Sequence, residues 1–260
     1  MDDLVIVTRR GTTATLTLNR PEKRNALSLA LRIQLLAALN ASIEDSMCRA
    51  VIITGAGQAF CAGADLAEMN GSMTPSMEDR RKRLDLLQRI SHTIIHSPKP
   101  VIAAVNGAAF GAGLSFVAAC DGIVATEKAE FCAVFSRIGL LPDAGIMWTL
   151  PRRVGATNAR RMLTTGERVG SSAALSMGLA DEIVSEEALL ETAQVMADGY
   201  RHSAPLAMTL IKQSLAREPV TLEAIFAYEA EVQIVLGDSE DSMEAKAAFF
   251  EKRLPNFRSK

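Results

Sequence analysis

Twice in this chain an apolar, β-branched run gives way abruptly to glycine and alanine, and these two breaks limit what it can fold into. The first reads Val51-Ile-Ile-Thr-Gly-Ala-Gly-Gln-Ala-Phe-Cys-Ala-Gly-Ala-Asp65, the second Val101-Ile-Ala-Ala-Val-Asn-Gly-Ala-Ala-Phe-Gly-Ala-Gly-Leu-Ser115. Runs such as Val51–Ile53 and Val101–Val105 suit buried strands, and the small residues after them permit a sharp turn into a helix. A turn without side-chain cover leaves backbone N–H groups free. Two such groups aimed at one point form an oxyanion hole, which stabilises negative charge developing on a carbonyl oxygen. Small residues also let elements pack closely with no chemical role. A single turn favours that plainer reading; the pair, in its setting, favours chemistry.

Around the breaks the pattern alternates. Val5 to Leu18 reads as two strands about a turn at Gly11, with Thr13, Thr15 and Thr17 alternating with Ala14, Leu16 and Leu18. Ser28 is placed to cap a helix in which Leu31, Leu35, Leu36 and Leu39 recur at helical spacing. A later helix carries Leu84, Leu87, Ile90, Ile94 and Ile95, and Pro98 and Pro100 stop it. Gly111 to Cys120 predicts a buried helix, and Ile123–Ala125 and Phe131–Ala133 predict short strands. Such β–α–β–α alternation predicts an α/β protein with parallel strands and helical crossovers. From about Ala188 the pattern is helical only, near Leu189–Tyr200, Leu206–Leu215, Leu222–Leu236 and Ser239–Lys252. The chain therefore divides into an α/β part, 1–187, and a helical part, 188–260. No internal repeat of 20–50 residues is legible.

Composition narrows the function classes. With 260 residues, 48% of them hydrophobic, the chain can bury a substantial core. A net charge of −2 gives no global field to draw nucleic acid or an anionic membrane. The basic cluster Arg80–Arg83 is flanked by Glu78, Asp79 and Asp85 and lacks aromatic neighbours, so it reads as a solvated helix face. No apolar stretch approaches the roughly 20 residues of a membrane span. The N-terminus opens on two aspartates rather than a basic, apolar leader. Cys48, Cys61, Cys120 and Cys132 are scattered with no C-x-x-C, as expected of reduced packing residues in a cytoplasmic protein. His92 and His96 share a helix face but lack an acidic third ligand, so no metal site is expected.

Seven short segments, in order, carry a resemblance that spans nearly the whole chain. They are Asn19-Arg-Pro-Glu-Lys-Arg-Asn-Ala-Leu27, Phe60-Cys-Ala-Gly-Ala-Asp-Leu66, Ala104-Val-Asn-Gly-Ala-Ala-Phe-Gly-Ala-Gly113, Ile138-Gly-Leu-Leu-Pro-Asp-Ala-Gly145, Leu163-Thr-Thr-Gly166, Gly178-Leu-Ala-Asp-Glu-Ile-Val184 and Phe249-Phe-Glu-Lys-Arg253. Together they resemble the crotonase (enoyl-CoA hydratase/isomerase) superfamily. The resemblance implies a ββα spiral core and a C-terminal helical trimerisation region, assembled as a homotrimer or a dimer of trimers. It also implies an acyl-CoA thioester substrate, with coenzyme A part of the substrate and no separate cofactor.

By position, the resemblance makes the backbone N–H groups of Ala64 and Ala112 the oxyanion donors; Ala112 stands where many members carry glycine. Losing one such donor typically costs about 2.7–4 kcal/mol of transition-state stabilisation. Hydratases of the family use two glutamates, and the matching positions here hold Ser115 and Phe135, neither a useful proton carrier at neutral pH. Asp143 matches an aspartate carried by some double-bond isomerases and by a hydrolytic dehalogenase. Its sequence neighbours Ile138, Leu140, Leu141, Ile146, Met147 and Trp148 are apolar, which predicts a raised pKa and a better base. The plainer reading is that Asp143 caps a helix opening at Ala144.

The expected reaction is removal by Asp143 of a proton from the carbon between thioester and alkene, or its vinylogue. The dienolate oxygen would rest on the two amides, and the acid would return the proton at the far carbon. Rival readings are hydration of 2-enoyl-CoA and a non-catalytic CoA-thioester-binding subunit. Weaker ones are nucleophilic attack by Asp143, which needs an activated aryl halide and an aromatic cradle where this chain has only one Trp and two Tyr, or by Ser115, which lies outside any G-x-S-x-G and has no partner His placed by a motif. For coenzyme A, the family pattern assigns Arg20 and Arg24 to the phosphates and the backbone around Ala62, Ala64, Asp65 and Leu66 to adenine and pantetheine. It offers Lys252 from a neighbouring subunit, though a plain surface lysine reads equally there. Met69 to Arg83, polar and Met-rich, is expected to roof the acyl pocket.

Overall fold

The computed structural model describes residues 3–65, 68, 76–217 and 221–258. Its first hairpin pairs β1 (Val5–Arg10) with β2 (Thr13–Leu18) antiparallel, Val5 opposite Leu18. Ala14, Leu16 and Leu18 of β2 point into the core, as the alternation predicts. Parallel strands β3 (Ala50–Gly55), β5 (Val101–Val105), β7 (Gly122–Thr126) and β10 (Glu182–Val184) complete a six-stranded sheet in the order β1-β2-β3-β5-β7-β10.

A short strand follows each of β3, β5 and β7: β4 (Ala59–Cys61), β6 (Ala108–Phe110) and β8 (Glu130–Cys132). With β9 (Arg168–Gly170) they form a second sheet in the order β4-β6-β8-β9. The chain thus winds as a spiral, adding one strand to each sheet per turn. Both small-residue breaks accordingly contain a strand where the sequence suggested only a turn. Strands of three residues, Ala59–Cys61 and Ala108–Phe110, are too short to carry a periodicity that would betray them. The sharp turns come one strand later, where the chain leaves the second sheet.

The helices are α1 (Leu29–Glu44), α2 (Met77–His96), α3 (Ala112–Ala119), α4 (Ile146–Thr165), α5 (Ser171–Ser176), α6 (Leu189–Gly199), α7 (Pro205–Leu215), α8 (Leu222–Gly237) and α9 (Glu240–Glu251). Ser28 caps α1 as expected, its Oγ accepting from the Leu31 amide at 3.2 Å. Ser76 and Asp79 form a capping box on α2. Every residue of α3 is buried, so this short helix is central to the core.

The six-stranded sheet is covered on both faces, which suits its unbroken runs of apolar residues. Val51 and Ile53 join the main core with Leu31, Leu35 and Ile90. Ala50 and Ile52, on the opposite face, pack with Ile102, Ala104 and Val124 beneath Leu189, Ala193 and Ala197 of α6. Helix α6, grouped by pattern with the C-terminal helices, is therefore a layer of the α/β core. The change of character falls beyond it: α7 and α8 bury no residue fully, and Ile211, Leu215, Phe226, Ile234, Phe249 and Phe250 face outward. Among the described residues no helix is long and apolar enough to cross a membrane. All four cysteines are free and buried.

Candidate active site

The two turns converge because glycine lets them. After β4, Gly63 adopts φ +90°, and a methyl group there would stand 2.8 Å from the Phe110 carbonyl oxygen and 3.6 Å from the Ala112 nitrogen. One on Gly113 would lie 2.5 Å from the Cys61 carbonyl oxygen. No residue with a Cβ fits between the turns without moving backbone. The first turn is also tied from outside: the Leu27 amide donates to the Gly63 carbonyl at 2.8 Å, and Leu27 pairs with Ala64 as a parallel bridge. In the second, the Gly111 amide donates to Cys132 O at 2.9 Å, and Gly111 is the N-cap of α3. Ala112 is thus the first helical residue, where an N–H has no intrahelical acceptor and the helix dipole favours negative charge. Neither the Ala64 nor the Ala112 amide donates to another described residue. Two free amides on touching turns provide what an oxyanion needs.

Asp143 lies on the loop between β8 and α4. Its Oδ1 is buried and has no hydrogen-bond partner among the described residues. Burial pushes its carboxyl up to about 6, opposed by the positive charge of Arg32. A buried carboxylate oxygen left unpaired is costly, and such exceptions cluster where chemistry is done. The cap alternative falls away: α4 opens at Ile146 with Gly145 as its N-cap, and Asp143 contributes only its main-chain carbonyl, to Ile146 N at 3.2 Å. The apolar-neighbour argument needs correcting as well. Ile146 is buried, but Ile138, Leu140, Leu141 and Met147 turn outward, so the desolvation of Asp143 comes from the fold beneath the loop. Ala144 beside it is held at φ +52°, a left-handed conformation that alanine adopts at a cost.

Ser115 and Phe135 stand against this machinery as scaffold. The Ser115 hydroxyl is fully buried and lies 3.1 Å from the Asp143 carbonyl oxygen and 3.3 Å from that of Gly111. It ties the aspartate loop to the second turn. The Phe135 ring is buried and lies 4.0 Å from where a Gly111 side chain would begin. Neither residue brings a second carboxylate.

Sequence reasoning passed over two residues. Asn25, fully buried at φ +55°, accepts from Arg20 N (2.9 Å) and donates to Ala56 O (3.0 Å) and Ala59 O (2.7 Å), closing the loop before α1 onto β4. Arg32 is also buried; its Nε donates to Leu27 O (2.9 Å) and its Nη1 to Arg83 O (3.1 Å). An arginine inside a leucine-periodic helix was the available signal.

The residues assigned to coenzyme A take different positions. Arg24 is exposed beside the first turn, its carbonyl accepting from Ala62 N at 2.9 Å. Arg20 is instead turned inward, its Nη1 bonded to Ala26 O (2.7 Å) and Asp65 Oδ2 (2.9 Å), so its charge is spent on the fold. Asp65 is likewise committed, its side chain to Arg20 and its main-chain carbonyl to Glu68 N at 3.1 Å. Lys252 is exposed at the end of α9 and makes no ion pair with any of these residues. Leu66, and 69–75 of the expected roof, lie outside the described residues. The basic cluster is not wholly solvated: Lys82 pairs with Glu78, but Arg83 reaches Glu68 O at 3.1 Å. His92 and His96 stack at 4.0 Å, and His96 Nδ1 meets the His92 carbonyl, so their ring nitrogens do not form a chelating pair.

A two-sheet spiral with two free amides on touching turns, and a carboxylate whose Oδ1 is buried and unpaired among the described residues, has the parts to stabilise negative charge on a carbonyl oxygen and to move a proton. Residues 8–260 match the family model described as "Enoyl-CoA hydratase/isomerase", and the chain belongs to that family. It is 35% identical over 248 residues to the 1,2-epoxyphenylacetyl-CoA isomerase of Escherichia coli K12, covering 95% of each chain. It is 37% identical over 259 residues to the 2,3-dehydroadipyl-CoA hydratase of the same organism, covering 98% and 99%. A solved enoyl-CoA hydratase from Bacillus anthracis superposes with a TM-score of 0.92 at 32% identity, over 99% of this chain and 100% of that one. The fold is the crotonase fold.

Proposed function

We propose that this family member shifts a carbon–carbon double bond in an enoyl-CoA thioester. The observation that carries the reading is the partly desolvated carboxylate of Asp143, its Oδ1 without a partner among the described residues, with Ser115 and Phe135 at the positions where hydratases of the family keep glutamates. One carboxylate can take a proton and return it; hydration needs a second group to manage the water. In 3-enoyl-CoA, Asp143 removes a proton from C2, and the electron pair delocalises through the thioester carbonyl. The dienolate oxygen is held by Ala64 and Ala112 N–H, and protonated Asp143 then delivers the proton to C4, leaving 2-enoyl-CoA. The similarity to an enzyme named as a 1,2-epoxyphenylacetyl-CoA isomerase agrees with an isomerisation carried out on an acyl-CoA.

Coenzyme A is read as bound by Arg24, by the main chain of Ala62 to Asp65 and, in an oligomer, by Lys252 of a neighbouring copy. The outward apolar residues of α7 to α9 support assembly as a trimer or a pair of trimers. The test is to supply 3-enoyl-CoA and 2-enoyl-CoA separately. Migration of the double bond with slow hydration supports the reading. Fast hydration of 2-enoyl-CoA without migration overturns it in favour of a hydratase, which the dehydroadipyl-CoA hydratase relative makes the leading rival.

A further inference from the structure

We propose that Arg20 is a positioning residue for the oxyanion hole, fixing the direction of the Ala64 amide through a line of hydrogen-bonded peptides that starts at its guanidinium. The line is short. Arg20 Nη1 donates to Ala26 O at 2.7 Å, an oxygen that Ser28 N also meets at 3.0 Å. The amide of the same peptide unit, Leu27 N–H, donates to Gly63 O at 2.8 Å. The amide of that next unit is Ala64 N–H, which donates to no described residue. A trans peptide is planar and holds its C=O and N–H on opposite sides. Fixing Ala26 O therefore fixes Leu27 N–H, and fixing Gly63 O fixes Ala64 N–H, which points away from the 24–27 segment. Each bond in such a line also polarises the next, by roughly 10–30% per bond, so a cation at one end strengthens the donor at the other.

The segment that carries this line depends on outside ties. Arg24 and Asn25 stand at φ +50° and +55°, a left-handed conformation that residues with side chains adopt at a cost. Asn25 anchors the segment to the approach to β4, through Ala56 O and Ala59 O. Arg20 anchors it at the turn. The Nη1 that holds Ala26 O also lies 2.9 Å from Asp65 Oδ2, and Asp65 directly follows Ala64. Arg20 thus grips the Leu27–Ala64 bridge on both of its strands, one residue before Leu27 and one after Ala64. The ion pair is sheltered, its side chains 17% and 11% exposed, so salt and water screen it little. At the second turn the helix itself does this work, because Ala112 is the first residue of α3 and its N–H follows the helix axis. The two donors of one hole are aimed by different devices.

This inference rests on Ala64 N–H as an oxyanion donor, and the experiment tells the failure of one from that of the other. Wild type, Arg20→Gln and Arg20→Lys are saturated with butanoyl-CoA labelled with 13C at the thioester carbonyl, an acyl chain with no double bond to move. The C=O stretch is read by isotope-edited infrared difference spectroscopy, Kd is taken from the same titration, and kcat and KM for 3-enoyl-CoA are measured in parallel. The band needs no turnover, so it decides whichever reaction the enzyme runs. In wild type it should lie below its position in the free thioester, because the amides polarise the carbonyl. In Arg20→Gln about half of that lowering should be lost and kcat should fall about tenfold, with Kd and KM within about twofold of wild type. Arg20→Lys, which restores the charge, should recover most of both. A wild-type band unmoved by binding overturns the oxyanion reading of the turns, and the proposal with it. A lowered band that is the same in Arg20→Gln overturns the proposal alone, whether the variant has lost only stability or has a raised KM through a phosphate contact. If Arg20→Gln does not fold, Asp65→Asn, which loosens one side of the grip, is read in its place: a smaller loss of the lowering supports the proposal and an unchanged band overturns it.

Discussion

Ser115 and Asp143 are joined through a side chain on one and the main chain of the other: the serine hydroxyl meets the aspartate carbonyl at 3.1 Å and leaves the carboxylate free. The position matching a hydratase glutamate thus ties down the Asp143 loop rather than supplying a second carboxylate. Ser115→Ala removes that tie and leaves a buried carbonyl with one fewer donor, at a cost of about 1 kcal/mol. The expected outcome is a kcat reduced about tenfold with KM little changed, because the amides that bind the thioester are untouched. Steady-state kinetics on 3-enoyl-CoA would check it, and an unchanged kcat would show that the loop does not need the tie.

The pH profile follows from the direction of the Asp143 shift. Burial raises its carboxyl to about 6, and the base must be ionised to take a proton. The kcat/KM should therefore be flat above neutrality and fall tenfold per unit below about pH 6. An ordinary surface aspartate would hold activity down to about pH 4. A profile of kcat/KM between pH 4.5 and 8.5 distinguishes the two.

The same burial costs stability. A carboxyl whose folded pKa exceeds its unfolded one binds protons preferentially in the native state. Its penalty is absent below about pH 4, grows as pH rises, and is complete above about pH 6. Asp143→Asn should then abolish isomerisation while raising stability at pH 8 by on the order of 2 kcal/mol. The gain should fade as pH falls toward 4. Urea titrations of both proteins at pH 8 and pH 4.5 measure the difference; a gain at pH 4.5 as large as at pH 8 would trace it to some other cause.

What the sequence made legible was whatever periodicity and turn chemistry can carry. The hairpin about Gly11, the Ser28 cap and the long strands at Val51 and Val101 all read correctly because each is local. The spiral itself was invisible as a repeat. Its three long strands begin at residues 50, 101 and 122, so successive turns of one motif have no common length. The partners of the site were hidden for a related reason. Arg20 and Asp65 are 45 residues apart, and Arg32 and Arg83 51, and nothing local to any of them announces the contact. Asp143 was singled out by position; that its shelter comes from below the loop, not from its apolar sequence neighbours, only the fold could tell.

Arg20 and Arg24, which sequence alone assigned jointly to coenzyme A, stand in different surroundings. The Arg20 guanidinium is largely sheltered and bonded to Asp65 and Ala26, so Arg20→Gln removes a charge pair that closes the loop onto the first turn. Breaking a buried or half-buried pair leaves the partner carboxylate uncompensated, and a loss of about 2–3 kcal/mol in stability is expected. Arg24 is exposed and free of such bonds, so Arg24→Gln should leave stability within about 0.5 kcal/mol of wild type. If Arg24 meets the phosphates, its loss should raise KM for acyl-CoA about tenfold, with kcat preserved and the effect shrinking as salt rises. Thermal melts and KM measured at two ionic strengths, on both variants, test the division. A raised KM in Arg20→Gln with an unchanged melt would return the phosphate contact to Arg20.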